Sequence, residues 1–334
     1  MLTVYDQLPA GLLELGPERL HEILPGPTLI HLPGRRPAPL FVSVLLHGNE
    51  SSGWLAAREV LRKSLDNGLP RAFSLFIGNV AAARHGLRVL EGQPDYNRIW
   101  PGGDVSARPE YTMARRVVEE MRARGVFASI DIHNNTGLNP HYGCVNRLDN
   151  EWLHLATLFS RTVVYFTTPR GVQSAAFAEL CPAVTLECGK PGTGVEHAAA
   201  YMDACLHLAD FPVHPVHAQD IDLFHTIATV KVPEDTRFGF SEVGCDIEFA
   251  TDLDHLNFRE LPAGTRLGRI HGNRDICLRA YDEAGSDVGR HLFDCGDGQI
   301  RLRRPMMPAM LTLDTRVIRQ DCLCYLMERL PPPA

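Results

Sequence analysis

The stretch Pro39–Gly53, PLFVSVLLHGNESSG, constrains the fold of the chain more than any other. Phe41–Leu46 is a short apolar run rich in Val and Leu, the pattern of a strand buried on both faces. It stops at the polar turn His47-Gly48-Asn49-Glu50. After Ser51-Ser52-Gly53, an Ala- and Leu-containing helical stretch runs from Trp54 to about Leu65. Strand, turn and helix place His47 and Glu50 just past the carboxyl end of a central strand, where open α/β sheets hold their ligands. An imidazole and a carboxylate three residues apart on such a turn can converge on one zinc ion and leave room for a distant third ligand.

The same alternation continues along the chain. Thr28–Leu32 reads as an outer strand, and Phe73–Ile77 as a further strand ending at Gly78-Asn79. Residues 80–104 form a long loop dense in polar side chains (Arg84, His85, Arg88, Asp95, Asn97, Arg98), and long ordered loops in compact domains are usually functional. Met113, Val117, Val118 and Met121 give Pro109–Arg124 a helical period. Val126–Ile132 is a strand that ends in a second polar turn, His133-Asn134-Asn135-Thr136-Gly137. Helices over Glu151–Arg161, Ser174–Leu180 and Val195–Leu208 alternate with strands over Val163–Phe166 and Ala183–Leu186, the last delivering Glu187 at its end. The expected fold is α/β, a mixed central sheet covered by helices.

Composition changes at Phe211–Pro215, after which helical runs disappear. Phe224–Val232, Asp246–Phe249, Arg266–Ile270, Ile276–Ala280 and Met310–Leu313 read as short strands between Gly, Pro and Asp turns. Two domains are expected, residues 1–215 and a smaller, mostly β domain over 216–334, with a Pro-rich tail at Pro331-Pro332-Pro333.

The formal net charge of −7 and the lack of any basic cluster beyond pairs such as Arg35-Arg36 and Arg303-Arg304 argue against a nucleic-acid partner. No apolar run approaches membrane-spanning length, and Met1–Gly16 does not read as a signal peptide. Nine scattered cysteines without C-x-x-C read as reduced structural thiols of a cytoplasmic protein, Cys322 and Cys324 sharing one strand-like segment.

Three strand ends therefore supply His47 with Glu50, Asp131-x-His133, and Thr185-x-Glu187. Two histidines and one carboxylate leave a fourth position for water, the arrangement of catalytic zinc. Asp131, two residues before His133 on the same strand face, suits a supporting carboxylate.

The motifs HGNE-SSG, GN-x-x-A with Arg88, D-x-NR-x-x-PG (Asp95 to Gly102), DIHNNTG and T-x-ECG, in that order over roughly residues 39–210, resemble the zinc carboxypeptidase-like hydrolases. More closely they resemble the succinylglutamate desuccinylase/aspartoacylase branch, which carries a β domain after its zinc domain. The resemblance implies His47, Glu50 and His133 as ligands of one zinc ion per chain. It implies Glu187 as general base, Arg88 beside the scissile carbonyl, and Asn97 with Arg98 as the pair that holds a substrate carboxylate. Arg84, in the same loop, is the alternative to Arg88.

The implied activity is hydrolysis of an amide next to a free carboxylate in a small substrate, either an N-acyl amino acid or a small peptide's C-terminal residue. A metal- or ligand-binding module on the same fold is the reading outside enzymes. One departure bears on specificity. Aspartoacylase-type members place a basic residue ahead of the catalytic glutamate, whereas Ser174–Leu180 has none and Phe177 falls near that position. Arg170 lies further upstream. The donor-rich loop Asn134–Tyr142 is the candidate for specificity instead.

Overall fold

The computed structural model describes residues 1–64, 67–241, 244–272 and 276–331; Leu65, at the expected end of the first helix, and Pro332-Pro333 of the tail lie outside them. The chain divides into two compact units, one of 1–134, 141–223 and 331–334, the other of 135–140 and 224–330.

The first unit carries eight sheet strands: β1 (Thr3–Tyr5), β2 (Thr28–Leu32), β3 (Gly34–Val44), β4 (Leu69–Ile77), β5 (Ala128–His133), β6 (Tyr142–Val145), β7 (Thr162–Tyr165) and β8 (Ala183–Glu187). Their spatial order is β1-β2-β4-β3-β5-β8-β6-β7. β3 lies between β4 and β5 and is parallel to both, and β5 is parallel to β8. β2 and β6 run antiparallel to β4 and β8, so the sheet is mixed. The helices are α1 (Ser52–Ser64), α2 (Val80–Ala83), α3 (Pro109–Ala123), α4 (Asn150–Thr157), α5 (Gln173–Ala178) and α6 (Val195–His207). No helix among the described residues is long and apolar enough to cross a membrane.

Central position explains why β3 is apolar on both faces, with Leu40 to Val44 all buried. The strand ends at Val44, two residues before the expected Leu46, because Leu45 takes a left-handed conformation at φ 55°. The turn is secured from the neighbouring strand end, where Gly78 N–H donates to Val44 O and Asn79 N–H to Leu45 O. A left-handed non-glycine residue is costly and persists only where its surroundings fix it. Gly48 is required for a different reason: a Cβ there would fall 2.2 Å from the backbone nitrogen of Ala83. The turn bearing His47 and Glu50 is thus pressed against α2, which begins the region expected to be all loop.

The second unit is built on β9 (Asp222–Lys231), which pairs antiparallel with β13 (Arg279–Asp282) and β17 (Cys324–Arg329); β17 also pairs with β16 (Met307–Ala309). A separate five-stranded sheet has the order β10 (Phe238–Phe240), β11 (Ile247–Phe249), β12 (Arg266–Ile270), β15 (Gln299–Leu302), β14 (Phe293–Asp294). Val230, Ile247, Phe249, Leu253, Ala280, Ile300 and Leu323 centre its apolar core.

Three sequence expectations fail here. Two short helices, α7 (Gly289–Leu292) and α8 (Thr315–Gln320), interrupt the β-rich region. α8 forms because Asp314 caps the backbone N–H groups of Arg316 and Val317. Met310–Leu313 is not a strand: Met310 sits at φ 67°, and Asn257 and Asn139 side chains take the backbone N–H groups of Leu311 and Met310. Nor are all cysteines reduced: Cys277 and Cys295 form a disulfide, their Cα atoms 5.5 Å apart. The other seven thiols are buried, and Cys322 lies outside β17, which begins at Cys324.

Candidate functional site

His47, Glu50 and His133 come together at the carboxyl ends of β3 and β5, all buried, each offering a ligand atom within 4.8 Å of the others. The Glu50 carboxylate lies between the imidazoles, Oε1 2.8 Å from His47 Nδ1 and Oε2 2.8 Å from His133 Nδ1. Each ring is held on its far side by another carboxylate: His47 Nε2 is 2.9 Å from Asp95 Oδ1, and His133 Nε2 is 2.8 Å from Asp131 Oδ2. The second contact follows from the strand period, since Asp131 and His133 share one face of β5. Ser43, opposite Asp131 in the β3–β5 register, donates to Asp131 Oδ1 at 2.6 Å. The Asn134 N–H donates to Glu50 Oε2 at 3.1 Å.

The electrostatics favour positive charge at this point. Burial alone would raise the Glu50 carboxyl, yet His47 and then His133 hold it far below the usual carboxylate range. Burial opposes charging of His133, but Asp131 and Glu50 lift its pKa well above the ordinary value. Burial and Arg88 likewise oppose charging of His47, and Glu50 with Asp95 more than reverse them. Asp95, despite burial, is held well down by His47 and then by Arg88 and Arg98.

These residues fit a zinc ion. Two imidazole nitrogens and a carboxylate oxygen are its preferred catalytic donor set. Both rings present Nδ1 inward while Nε2 meets a carboxylate, which fixes ring orientation and raises ligand basicity.

Arg88, not the exposed Arg84, reaches this cluster. Its guanidinium pairs with Asp95 Oδ2 at 3.0 Å and stands 3.7 Å from Glu50 Oε1. Asn97 is also drawn in: Oδ1 accepts from the Gln173 N–H at 2.9 Å, which turns Nδ2 toward His133 Nε2 at 3.2 Å. Arg98 Nη1 donates to the Asn97 carbonyl at 2.8 Å, so the guanidinium curls over its own loop. Glu187 is buried opposite His133 in the β5–β8 register. Burial, and then the adjacent Glu187 carboxylate, raises the thiols of Cys144 and Cys188.

Two further positions singled out in the sequence lie as follows. Phe177 is fully buried, stacked on Phe41 with ring centroids 4.3 Å apart and edge-on to Trp100. Residues 135–140 of the proposed specificity loop belong to the second unit, where Asn139 accepts from Met310 N–H and Thr136 donates to Thr312 Oγ1. Arg170 is exposed, next to Gly171, whose carbonyl accepts from the Trp100 N–H.

Sequence reasoning gave no role to Asp95, Ser43 or Gln173. The spacing Asp95-x-Asn97-Arg98 was a usable signal for Asp95. Nothing local marks Gln173, which is fully buried and bonds Ser129 Oγ through Nε2.

Solved structures similar to this one share its fold at low identity. Succinylglutamate desuccinylase from Chromobacterium violaceum has 18% identity and a TM-score of 0.54, covering 90% of this chain and 87% of its own. Murine aminoacylase 3 has 15% identity and a TM-score of 0.58, covering 89% and 96%. The product-bound ectoine utilization protein EutE (DoeB) from Ruegeria pomeroyi has 16% identity and a TM-score of 0.55, covering 90% and 88%. No curated protein sequence matches significantly. The sequence pattern of the succinylglutamate desuccinylase/aspartoacylase catalytic domain matches residues 39–207, half of the chain. That span runs from β3 to the end of α6 and contains every residue of the buried cluster, so the chain belongs to the succinylglutamate desuccinylase/aspartoacylase family.

Proposed function

We propose that the chain is a zinc-dependent hydrolase that cleaves an amide bond adjacent to a free carboxylate, acting as an N-acyl amino acid deacylase. The observation that carries this reading is the buried His47–Glu50–His133 cluster with Asp95 and Asp131 on the far imidazole nitrogens. A family named for desuccinylase and aspartoacylase chemistry favours acyl amino acids over small peptides as substrates. On this reading residues 1–215 are the hydrolase domain, residues 216–334 a β-rich C-terminal domain, and the protein works in the cytoplasm.

His47, Glu50 and His133 would hold one zinc ion, which supplies Lewis acidity and a water whose pKa is lowered to about 7. Glu187 accepts the proton of the attacking water and passes it to the leaving amine, so its carboxylate acts first as base and then as acid. Arg88, always charged, donates to the oxygen that gains negative charge as the carbonyl carbon becomes tetrahedral; loss of one such donor typically costs about 3–4 kcal/mol. Asp95 holds Arg88 and His47 from one carboxylate and so sets both positions together. Arg98 and Asn97 bind the substrate carboxylate, the guanidinium as a planar fork and the amide as a neutral donor.

The test is metal analysis of the purified protein with activity on N-acetyl and N-succinyl amino acids and on dipeptides. Stoichiometric zinc and cleavage of acyl amino acids are expected. Stoichiometric zinc with dipeptide cleavage alone would favour a carboxypeptidase, and metal binding without turnover of any would favour a binding module.

A further inference from the structure

The turn that follows Glu187 is built around a second pair of imidazoles. Antiparallel pairing of β6 with β8 sets Tyr142 opposite Glu187, so His141 enters beside the Cys188-Gly189 turn. Gly189 and Gly194 both have positive φ, 75° and 68°. A Cβ at Gly189 would stand 3.3 Å from His141 Nε2, and one at Gly194 would stand 3.1 Å from His141 Cε1. The turn leaves room for this ring that side chains would take away. α6 starts directly afterwards, and its first turn presents His197.

The two rings face each other through Nδ1, 3.2 Å apart. Phe159 stacks against both, its centroid 4.4 Å from that of His197 and 6.2 Å from that of His141, each pair inclined by 20°. Phe159 is itself buried and braced edge-on by Tyr201. Only one proton fits between two such nitrogens, one ring donating and the other accepting. Burial, and then the facing His197, lowers the pKa of His141, which favours the neutral form that ligates metals.

The spacing suits a cation as well as a proton. Zinc–imidazole bonds of about 2.0–2.1 Å at the tetrahedral angle separate two ligand nitrogens by about 3.3 Å. Imidazole pairs suit zinc, copper and nickel rather than magnesium or calcium. We propose that His141 and His197 form a second site for a divalent transition-metal ion, held through their two Nδ1 atoms and completed by water. The site is distinct from the His47–Glu50–His133 cluster and weaker than it, having two protein ligands instead of three. Occupancy ties the entry of β6 to the first turn of α6, on either side of the strand end that carries Glu187.

The experiment is titration of metal-free, full-length protein with zinc chloride against a chromophoric chelator, which needs no assay of activity. Wild type should take up one tight equivalent and then a weaker one. His197→Ala, an exposed helix position, should keep the tight equivalent. It should weaken the second by more than the roughly 10–100-fold that loss of a mere supporting partner costs. His133→Ala should lose the tight equivalent and keep the weak one, so the two sites fail independently. The proposal is overturned if wild type saturates at one equivalent or if the weak equivalent survives in His197→Ala. It is also overturned if that equivalent is lost instead in His214→Ala/His217→Ala, where two further imidazoles stand with centroids 6.4 Å apart.

Discussion

Asp95 Oδ1 lies 2.9 Å from His47 Nε2, although the two residues are 48 positions apart and α1, β4 and α2 lie between them in the chain. The same carboxylate pairs through Oδ2 with Arg88. One side chain thereby orients an imidazole of the His47–Glu50–His133 cluster and the arginine beside it. Asp95→Asn should therefore weaken zinc binding by about 10–100-fold, the usual cost of losing a carboxylate behind a ligating histidine. A chelator competition assay measures this. Unchanged affinity would reduce Asp95 to a loop-forming residue.

Glu187→Gln should keep stoichiometric zinc and lose turnover. The carboxamide is nearly isosteric but accepts no proton, and loss of a general base lowers kcat by about 10²–10⁴-fold. Paired metal analysis and kcat measurements on the variant decide it; near wild-type kcat would remove Glu187 from the mechanism.

Arg98→Lys should impair every substrate, because a point charge cannot replace the bidentate guanidinium. Wild type should accept N-acetyl Leu, Ala and Met at least as well as N-acetyl Asp. α5, Gln173–Ala178, carries no Arg or Lys, so it offers a second carboxylate no cation. The measurement is kcat/KM across the four substrates. A preference for Asp of about a hundredfold, or ~2.7 kcal/mol, would mean that another cation such as Arg170 reads the side chain.

In the second unit, Asp287 accepts from the backbone N–H groups of Gly289 and Ala280 and from Arg279 Nη1. Burial opposes ionisation, but these donors hold its carboxyl below the ordinary value. A depressed folded pKa contributes stability that is present above the unfolded value of about 3.9 and lost as pH falls through the folded pKa. Asp287→Asn should thus destabilise the protein at neutral pH and flatten its acid limb below about pH 4. Denaturant unfolding at a series of pH values tests it; parallel acid limbs for variant and wild type would sink the idea.

The parts of this molecule legible in the sequence are those where local pattern and tertiary role coincide. β3 shows because a strand between two parallel neighbours must be apolar on both faces, and β12, Arg266–Ile270, because strand composition and flanking turns agree. His47, Glu50 and His133 show because strand ends deliver them. The left-handed Leu45 was hidden, since only the β4 end that bonds it makes that conformation tenable. β6 was hidden by Gly143 in its interior, a residue depleted in strands, and the Cys277–Cys295 bridge by the chain reversal that closes it. The burial of Phe177 had no local trace, because sequence position says nothing of which way a short helix faces, and here the ring stacks on Phe41 of β3. Residues 80–104 read as a long polar loop, but their closure onto His47 through Asp95 is a tertiary fact with no local trace.

The central claim is that His47, Glu50 and His133 form one tight zinc site, and zinc stoichiometry in His133→Ala tests it most directly. Wild type, dialysed against trace zinc and analysed by atomic emission, should retain one ion per chain in this cluster. The variant should retain the wild-type circular dichroism spectrum and lose that tightly held ion. A folded His133→Ala protein that still carries one tightly bound zinc at this cluster would contradict the account.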